Sequence, residues 1–141
     1  MSSYLKKSFK FLAIALVLNV ALCFYAVKAY DAPDFVQIIR NDLKYNKYEA
    51  GDTFTKDTAG KNQRVYNKET ITPLTVPCTD CKISVRLKSG SEIRKTVTTV
   101  MGDTKDFGAT SSIKGDYYLE MARKDITLVS TSTYGTWYIN S

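Results

Sequence analysis

Alternating apolar and polar positions run through the second half of the chain. Within residues 82–88, Ile83, Val85 and Leu87 fall on one face, and polar or charged side chains fall on the other. A period of two over this length is typical of a β-strand with one buried face. A turn at Gly90 and a second β-rich segment follow, so this part of the chain predicts a β-hairpin.

Similar short segments continue on both sides of this hairpin. The predicted strands are 35–40, 70–76, 82–88, 92–101, 109–113, 117–123, 126–132 and 136–139, with a turn at Tyr134-Gly135 that makes the last two a C-terminal hairpin. Pro73 makes 70–76 an edge or bulged strand. The first segment is also compatible with a short helix, although its β-branched residues favour a strand.

Polar residues dominate positions 45–68, which predict one long loop or a weak edge hairpin. In the later loop 102–108, Phe107 is expected to point inward.

Short strands without a convincing interior helix indicate an all-β fold, an antiparallel, Greek-key-like sandwich or barrel of six to eight strands. We expect a single domain over residues 30–141, with a strand or short helix plus polar loop in 30–68 and the main β region in 69–141.

The first 29 residues differ in kind from this pattern. Three lysines precede an apolar run from Phe11 to Tyr25, and small residues follow it up to Ala29. This order predicts a Sec-type signal-peptide helix that is cleaved between Ala29 and Tyr30, giving a secreted or cell-surface protein. The alternative is a retained membrane anchor, because a helix of about 20 residues is needed to span a bilayer and this run is nearly long enough.

The leader changes the meaning of the net charge. The whole chain has 20 basic and 14 acidic residues, for a formal charge of +6. Four lysines and no acidic residue lie in the leader, so the remaining domain has 16 basic residues against 14 acidic ones. Its basic residues are also interleaved with acidic ones, which argues against a nucleic-acid surface. We expect no nucleic-acid partner, and membrane contact only through an uncleaved leader.

The chain contains no histidine. This excludes imidazole-based acid–base catalysis, Ser-His and Cys-His nucleophile pairs, and histidine metal ligands. We therefore predict a non-enzymatic protein with no catalytic residues, no cofactor and no metal site.

Two cysteines remain once the leader with Cys23 is removed, namely Cys78 and Cys81. In an exported domain such a pair predicts a disulfide that closes a tight turn. A thiol–disulfide redox site is the alternative, although such sites usually place the first cysteine at a helix N-terminus. A zinc site would need further ligands, and only carboxylates could provide them.

The segment Ile113-Lys114-Gly115-Asp116-Tyr117-Tyr118-Leu119 resembles the entry to a late strand in Greek-key sandwiches. There, a tyrosine hydroxyl bonds back to the preceding corner. Together with the leader and the terminal Gly135-Thr136-Trp137, it resembles small secreted proteins of Gram-positive bacteria. The resemblance implies a secreted bacterial β-sandwich without catalytic residues.

Aromatic residues are concentrated near the C-terminus, and an exposed row of them on a sheet can stack on sugars or peptides. The candidate ligand-binding residues are Tyr118, Tyr134, Trp137 and Tyr138. The alternative is that these rings are core or cross-strand partners. The leading hypothesis is a secreted protein that binds a cell-envelope component, a carbohydrate or an extracellular protein. The alternatives are an exported thiol–disulfide redox protein and a membrane-anchored immunity or accessory factor.

Overall fold

The computed structural model describes residues 33–125 and 130–141. It is 58% strand and only 3% helical, which confirms the all-β prediction. The strands are β1 (Phe35–Leu43), β2 (Glu49–Ala50), β3 (Phe54–Lys56), β4 (Arg64–Ile71), β5 (Ile83–Ser89), β6 (Glu92–Thr99), β7 (Thr104–Asp106), β8 (Gly115–Arg123) and β9 (Thr131–Tyr138).

The strands form two antiparallel sheets that pack together without closing into a barrel. One sheet has the order β1-β9-β4-β7, and we call it the first sheet. The second sheet has the order β2-β8-β5-β6, with β3 also paired to β8. A sandwich, rather than a barrel, is therefore the architecture of the described residues.

The core lies between the two sheets. Every second residue of β9 is buried, and the apolar side chains at every second position of β5 and β8 are buried as well, as expected for strands with one face against the opposite sheet. The buried side chains include Ile38, Val65, Val85, Leu87, Leu119, Met121, Trp137 and Ile139. Phe107 is also fully buried, as the sequence predicted.

The predicted hairpins agree only in part with these strands. The hairpin of β5 and β6 and the strand β8 are confirmed. The predicted C-terminal hairpin is wrong, because β9 continues through residues 134 and 135 without a turn. Gly135 lies opposite Ile38 of β1 and Asn67 of β4, and a Cβ atom at this position would overlap the Tyr66 carbonyl oxygen. This glycine therefore permits close approach of two strands rather than reversal of the chain.

The polar segment 45–68 differs most from its prediction. It contains β2, β3 and the first part of β4, where one loop or weak hairpin was predicted. In β4 the inward positions include Asn67 and Thr70, which bond to each other and to Thr133 across the sheet. Because polar side chains occupy these buried sites, the apolar alternation that would reveal the strand is missing.

Two other predicted strands also change. The predicted strand 70–76 is wrong beyond Ile71, where β4 ends and a turn begins with the Thr75 N–H donating to the Thr72 carbonyl. The predicted strand 109–113 is instead a 3-10 helix at Ala109–Ser111. Its first turn is closed by the Ser111 hydroxyl, which donates to the Gly108 carbonyl oxygen at 2.6 Å.

Several sequence predictions lie outside the described residues. They are the signal peptide 1–29, the cleavage between Ala29 and Tyr30, and positions 126–129 of the predicted strand 126–132. Within the described ranges, no helix has the length and apolar character needed to cross a membrane.

Candidate functional site

Tyr117 occupies the corner that the sequence predicted for it. It lies on β8 and is almost completely buried, and its hydroxyl donates a hydrogen bond of 2.8 Å to the Ile113 carbonyl oxygen. Burial raises the pKa of Tyr117 above its usual value of 10.0, because the phenolate would be poorly solvated. This ring is a structural element of the sandwich.

Trp137 also belongs to the core, which corrects its prediction as a ligand-binding residue. The side chain is only 2% exposed, and its Nε1–H donates to Gln63 Oε1 at 3.0 Å. Phe54 packs edge-on against the indole, with the ring centroids 5.8 Å apart. A ring enclosed in this way cannot stack on an external ligand.

Tyr134 and Tyr138 lie on the opposite, outward side of β9. Alternation along the strand buries Thr133, Gly135 and Trp137 and leaves the two tyrosines partly exposed. The two tyrosines are four positions apart, which corresponds to about 13 Å along an extended strand. The structure therefore brings two of the four predicted ligand-binding residues to one surface.

Neighbouring strands extend this surface on both sides of β9. Phe35 and Ile39 of β1 lie opposite Tyr138 and Tyr134, and both are more than half exposed, at 53% and 58%. Tyr66 of β4 projects to the same side, since Val65 before it and Asn67 after it are buried. We call this surface the aromatic face; its members are Phe35, Ile39, Tyr66, Tyr134 and Tyr138.

Polar side chains are interleaved with these rings. Gln37 and Thr136 lie opposite each other, between the pair Phe35 and Tyr138 and the pair Ile39 and Tyr134. Thr136 Oγ1 donates to Gln37 Oε1 at 3.5 Å. The guanidinium of Arg64 lies 5.1 Å from the centre of the Tyr138 ring, which also contacts Phe35 at a centroid distance of 6.3 Å. The aromatic face thus combines ring surfaces with hydrogen-bonding groups.

Sequence reasoning did not identify Phe35, Ile39 and Tyr66 as part of this surface. The sequence pattern marks Phe35 and Ile39 only as residues of a strand or short helix, and it places Tyr66 in a polar segment that predicts a loop or weak edge hairpin. The pairing of β1 and β4 with β9 brings them beside the tyrosines, and no local pattern reveals that pairing. The sequence offers one signal for this surface: Phe35 and Ile39 stand at odd separations from Ile38, so a strand that buries Ile38 places both of them on its outer face.

Tyr118 lies on the outer surface of the second sheet, away from the other candidates. Its hydroxyl donates to the Gly90 carbonyl oxygen at 2.8 Å, and Lys88 Nζ lies 5.6 Å from the ring centre. Glu120 pairs with Lys88 at 3.1 Å and with Arg86 at 3.9 Å. The hydrogen bond to Glu120 raises the pKa of Lys88. This surface is occupied by its own charge pairs and differs in character from the aromatic face.

The predicted cysteine pair is present as a disulfide between Cys78 and Cys81, with the Cα atoms 5.4 Å apart. It lies in the loop between β4 and β5. The Cys78 N–H donates to the Thr70 carbonyl oxygen, and the Lys82 N–H donates to Asp125 Oδ2, so both ends of the loop are held. Among residues 33–125 and 130–141, Asp80 is the one carboxylate that groups with the two sulfurs as potential metal ligands, and the sulfurs are bonded to each other.

No protein family, curated protein or solved structure matches this chain. The fold defines it as a small antiparallel β-sandwich with a disulfide-closed loop. The aromatic face and the disulfide loop are the two surface features of the described residues that bring candidate binding or reactive groups together.

Proposed function

We propose that this chain is an exported bacterial β-sandwich that binds a polysaccharide of the cell envelope through its aromatic face. The observation that carries the proposal is the outer surface of the first sheet, where Tyr134 and Tyr138 lie beside exposed Phe35 and Ile39. Exposed aromatic and aliphatic side chains grouped on one side of a small domain usually mark a binding surface.

Polysaccharide is the occupant that best fits the chemistry of this face. Pyranose rings have flat C–H surfaces that stack on aromatic rings, and hydroxyl rims that need hydrogen-bonding partners. The aromatic face supplies both, since Gln37, Thr136 and Arg64 lie between and beside its rings. The separation of Tyr134 and Tyr138 suits an extended chain of several sugars rather than a single one.

The leader supports the cellular location in this proposal. Its lysines, apolar run and small-residue exit have the order of a Sec-type signal peptide, and the domain that follows carries a disulfide pair, which forms and persists outside the reducing cytosol. Intact-mass measurement of the protein from culture supernatant tests this step. A mass that begins at Tyr30 supports export with cleavage, whereas a full-length species confined to the membrane fraction supports the anchored alternative.

Binding is tested by co-sedimentation of the purified protein with insoluble cell-wall material. We expect Tyr134→Ala and Tyr138→Ala each to weaken binding about fivefold, because each removes one stacking surface worth about 1 kcal/mol. Tyr118→Ala is the matched control, since it removes a partly buried tyrosine from the opposite surface. It should leave binding unchanged.

Two outcomes would contradict the proposal. If Tyr118→Ala weakened sedimentation as much as the aromatic-face variants did, the surface would be wrongly assigned. If prior protease treatment of the cell-wall material abolished binding, the partner would be a wall protein rather than a polysaccharide.

A further inference from the structure

We propose that the Cys78–Cys81 disulfide is a thiol-exchange site with a fixed direction, in which an external thiolate attacks Cys78 and Cys81 is the leaving group. The substrate class is a dithiol, either a small molecule or a pair of cysteines in an exported protein. This inference rests on the disulfide loop and is independent of the aromatic face.

Exposure distinguishes the two sulfurs. Cys81 is only 3% exposed, whereas Cys78 is partly exposed. The pair borders an open cleft of about 410 Å³, which is also lined by Asp80, Lys82, Arg123 and Asp125. An incoming thiolate must reach a sulfur along the line of the S–S bond, so access selects Cys78 as the point of attack.

The neighbouring charges also favour Cys78 as the point of attack and Cys81 as the leaving group. Nη2 of Arg123 lies 3.4 Å from Cys81 Sγ in a buried contact. Asp80 Oδ1 lies 3.5 Å from Cys78 Sγ. A guanidinium stabilises a neighbouring thiolate and a carboxylate destabilises one, so negative charge that develops when the disulfide opens is favoured on Cys81.

The backbone that carries the Arg123 guanidinium is anchored to the segment that follows β1. The Arg123 N–H donates to the Lys44 carbonyl oxygen at 3.0 Å, and the Arg123 carbonyl accepts from the Asn46 N–H at 2.9 Å. Next to Cys81 in the chain, the Lys82 N–H donates to Asp125 Oδ2 at 2.6 Å. The pairing of Ile83 with Arg123 places the two backbones side by side, so the contact between the guanidinium and Cys81 Sγ forms within an anchored part of the sheet.

The exchange balances as two displacements. In the first, the external thiolate forms a bond to Cys78 Sγ, the Cys78–Cys81 bond breaks, and its electron pair remains on Cys81 beside Arg123. In the second displacement, the remaining thiolate of the dithiol attacks the dithiol sulfur that is bonded to Cys78 in the mixed disulfide. The bond to Cys78 Sγ breaks, and Cys78 leaves as a thiolate. The dithiol is oxidised to a disulfide, the Cys78/Cys81 pair is reduced, and protons equilibrate with solvent.

The direction of attack is tested on the unaltered full chain. The folded protein is treated briefly with glutathione, quenched with acid, and mapped by peptide mass spectrometry, which also distinguishes Cys23. We expect glutathione on Cys78 in the large majority of mixed disulfides. A majority on Cys81 would overturn the proposal. So would a disulfide that stays oxidised in dithiothreitol for as long as the protein remains folded, because a purely structural bond behaves in that way.

The role of the guanidinium is tested with Arg123→Gln. We expect the rate constant for reduction by dithiothreitol to fall about five- to tenfold, because the leaving thiolate loses its neighbouring cation. Arg86→Gln is the matched control: it removes the same charge from the neighbouring strand β5, away from the disulfide loop, and should leave the rate unchanged. Equal rates in a folded Arg123→Gln protein would contradict the assignment. If this variant does not fold, the glutathione map of the unaltered protein still decides the direction.

Discussion

The hydrogen bond between Trp137 and Gln63 connects the core to the polar segment that precedes β4. Trp137 Nε1–H donates to Gln63 Oε1, and Gln63 Nε2–H donates to the Ser111 carbonyl oxygen, each at 3.0 Å. The Gln63 N–H also donates to Ser111 Oγ at 2.9 Å. All three residues are buried. Replacing Trp137 by Phe and Gln63 by Met, singly and together, isolates the energy of the bond that joins them.

Each single replacement leaves polar atoms without a partner. Trp137→Phe orphans Gln63 Oε1 and reduces the apolar contact area, while Gln63→Met orphans the indole N–H and the Ser111 carbonyl. Since a buried polar group left unsatisfied costs about 1–3 kcal/mol, we expect each variant to lose about 2–4 kcal/mol of unfolding free energy. The double variant removes two of those orphans together, so it should be about 2 kcal/mol more stable than the sum predicts.

The measurement is urea unfolding followed by far-ultraviolet circular dichroism, because Trp137 is the only tryptophan and its replacement removes indole fluorescence. Combining Trp137→Phe with Tyr118→Phe provides the control, since Tyr118 lies on the outside of the second sheet and the two effects should add. A coupling energy below about 0.5 kcal/mol for the Trp137 and Gln63 pair would show that the two side chains contribute independently to stability, contrary to this prediction, since independent sites add within that range.

Two further predictions concern the backbone and the corner. Gly135→Ala should destabilise the fold by about 3 kcal/mol, because its Cβ would overlap the Tyr66 carbonyl and force β9 and β4 apart. Thermal unfolding measures this loss of stability. A loss below about 1 kcal/mol would contradict the prediction. Tyr117→Phe should cost about 1 kcal/mol at pH 8 through loss of the bond to Ile113. Burial keeps the pKa of native Tyr117 above 10.0, so the native state retains a proton that the unfolded chain loses, and the advantage of tyrosine over phenylalanine should decline as the pH rises above 10. Urea unfolding of both proteins at pH 8 and above pH 10 checks the sign, and a constant difference would contradict it.

Strands with an apolar buried face could be predicted from the sequence. The segment around Ile83, Val85 and Leu87 and the strand that contains Leu119 and Met121 both bury their apolar alternation against the opposite sheet. β4 escaped prediction because Asn67 and Thr70 fill inward sites, where side-chain hydrogen bonds satisfy their polar atoms. Local hydrophobicity does not report burial of that kind.

The candidate site was only half predictable, for a related reason. Tyr134, Trp137 and Tyr138 are close in sequence, and their residue types are equally suited to a core or a binding surface. The phase of β9 decides between these roles, because an odd separation along a strand places Trp137 on the side opposite both tyrosines. The predicted turn at Gly135 would have broken that phase.

The fold class, the cysteine pair and the absence of histidine chemistry follow from the amino-acid sequence alone, because they depend on residue type and on spacing within single segments. The tertiary structure decided which rings are exposed and which charge adjoins each sulfur. Phe35 reaches Tyr138 through the pairing of β1 with β9, and Arg123 reaches Cys81 because β8 pairs with β5. Contacts between residues so far apart in the chain depend on strand register, which is set by the packing of the whole domain.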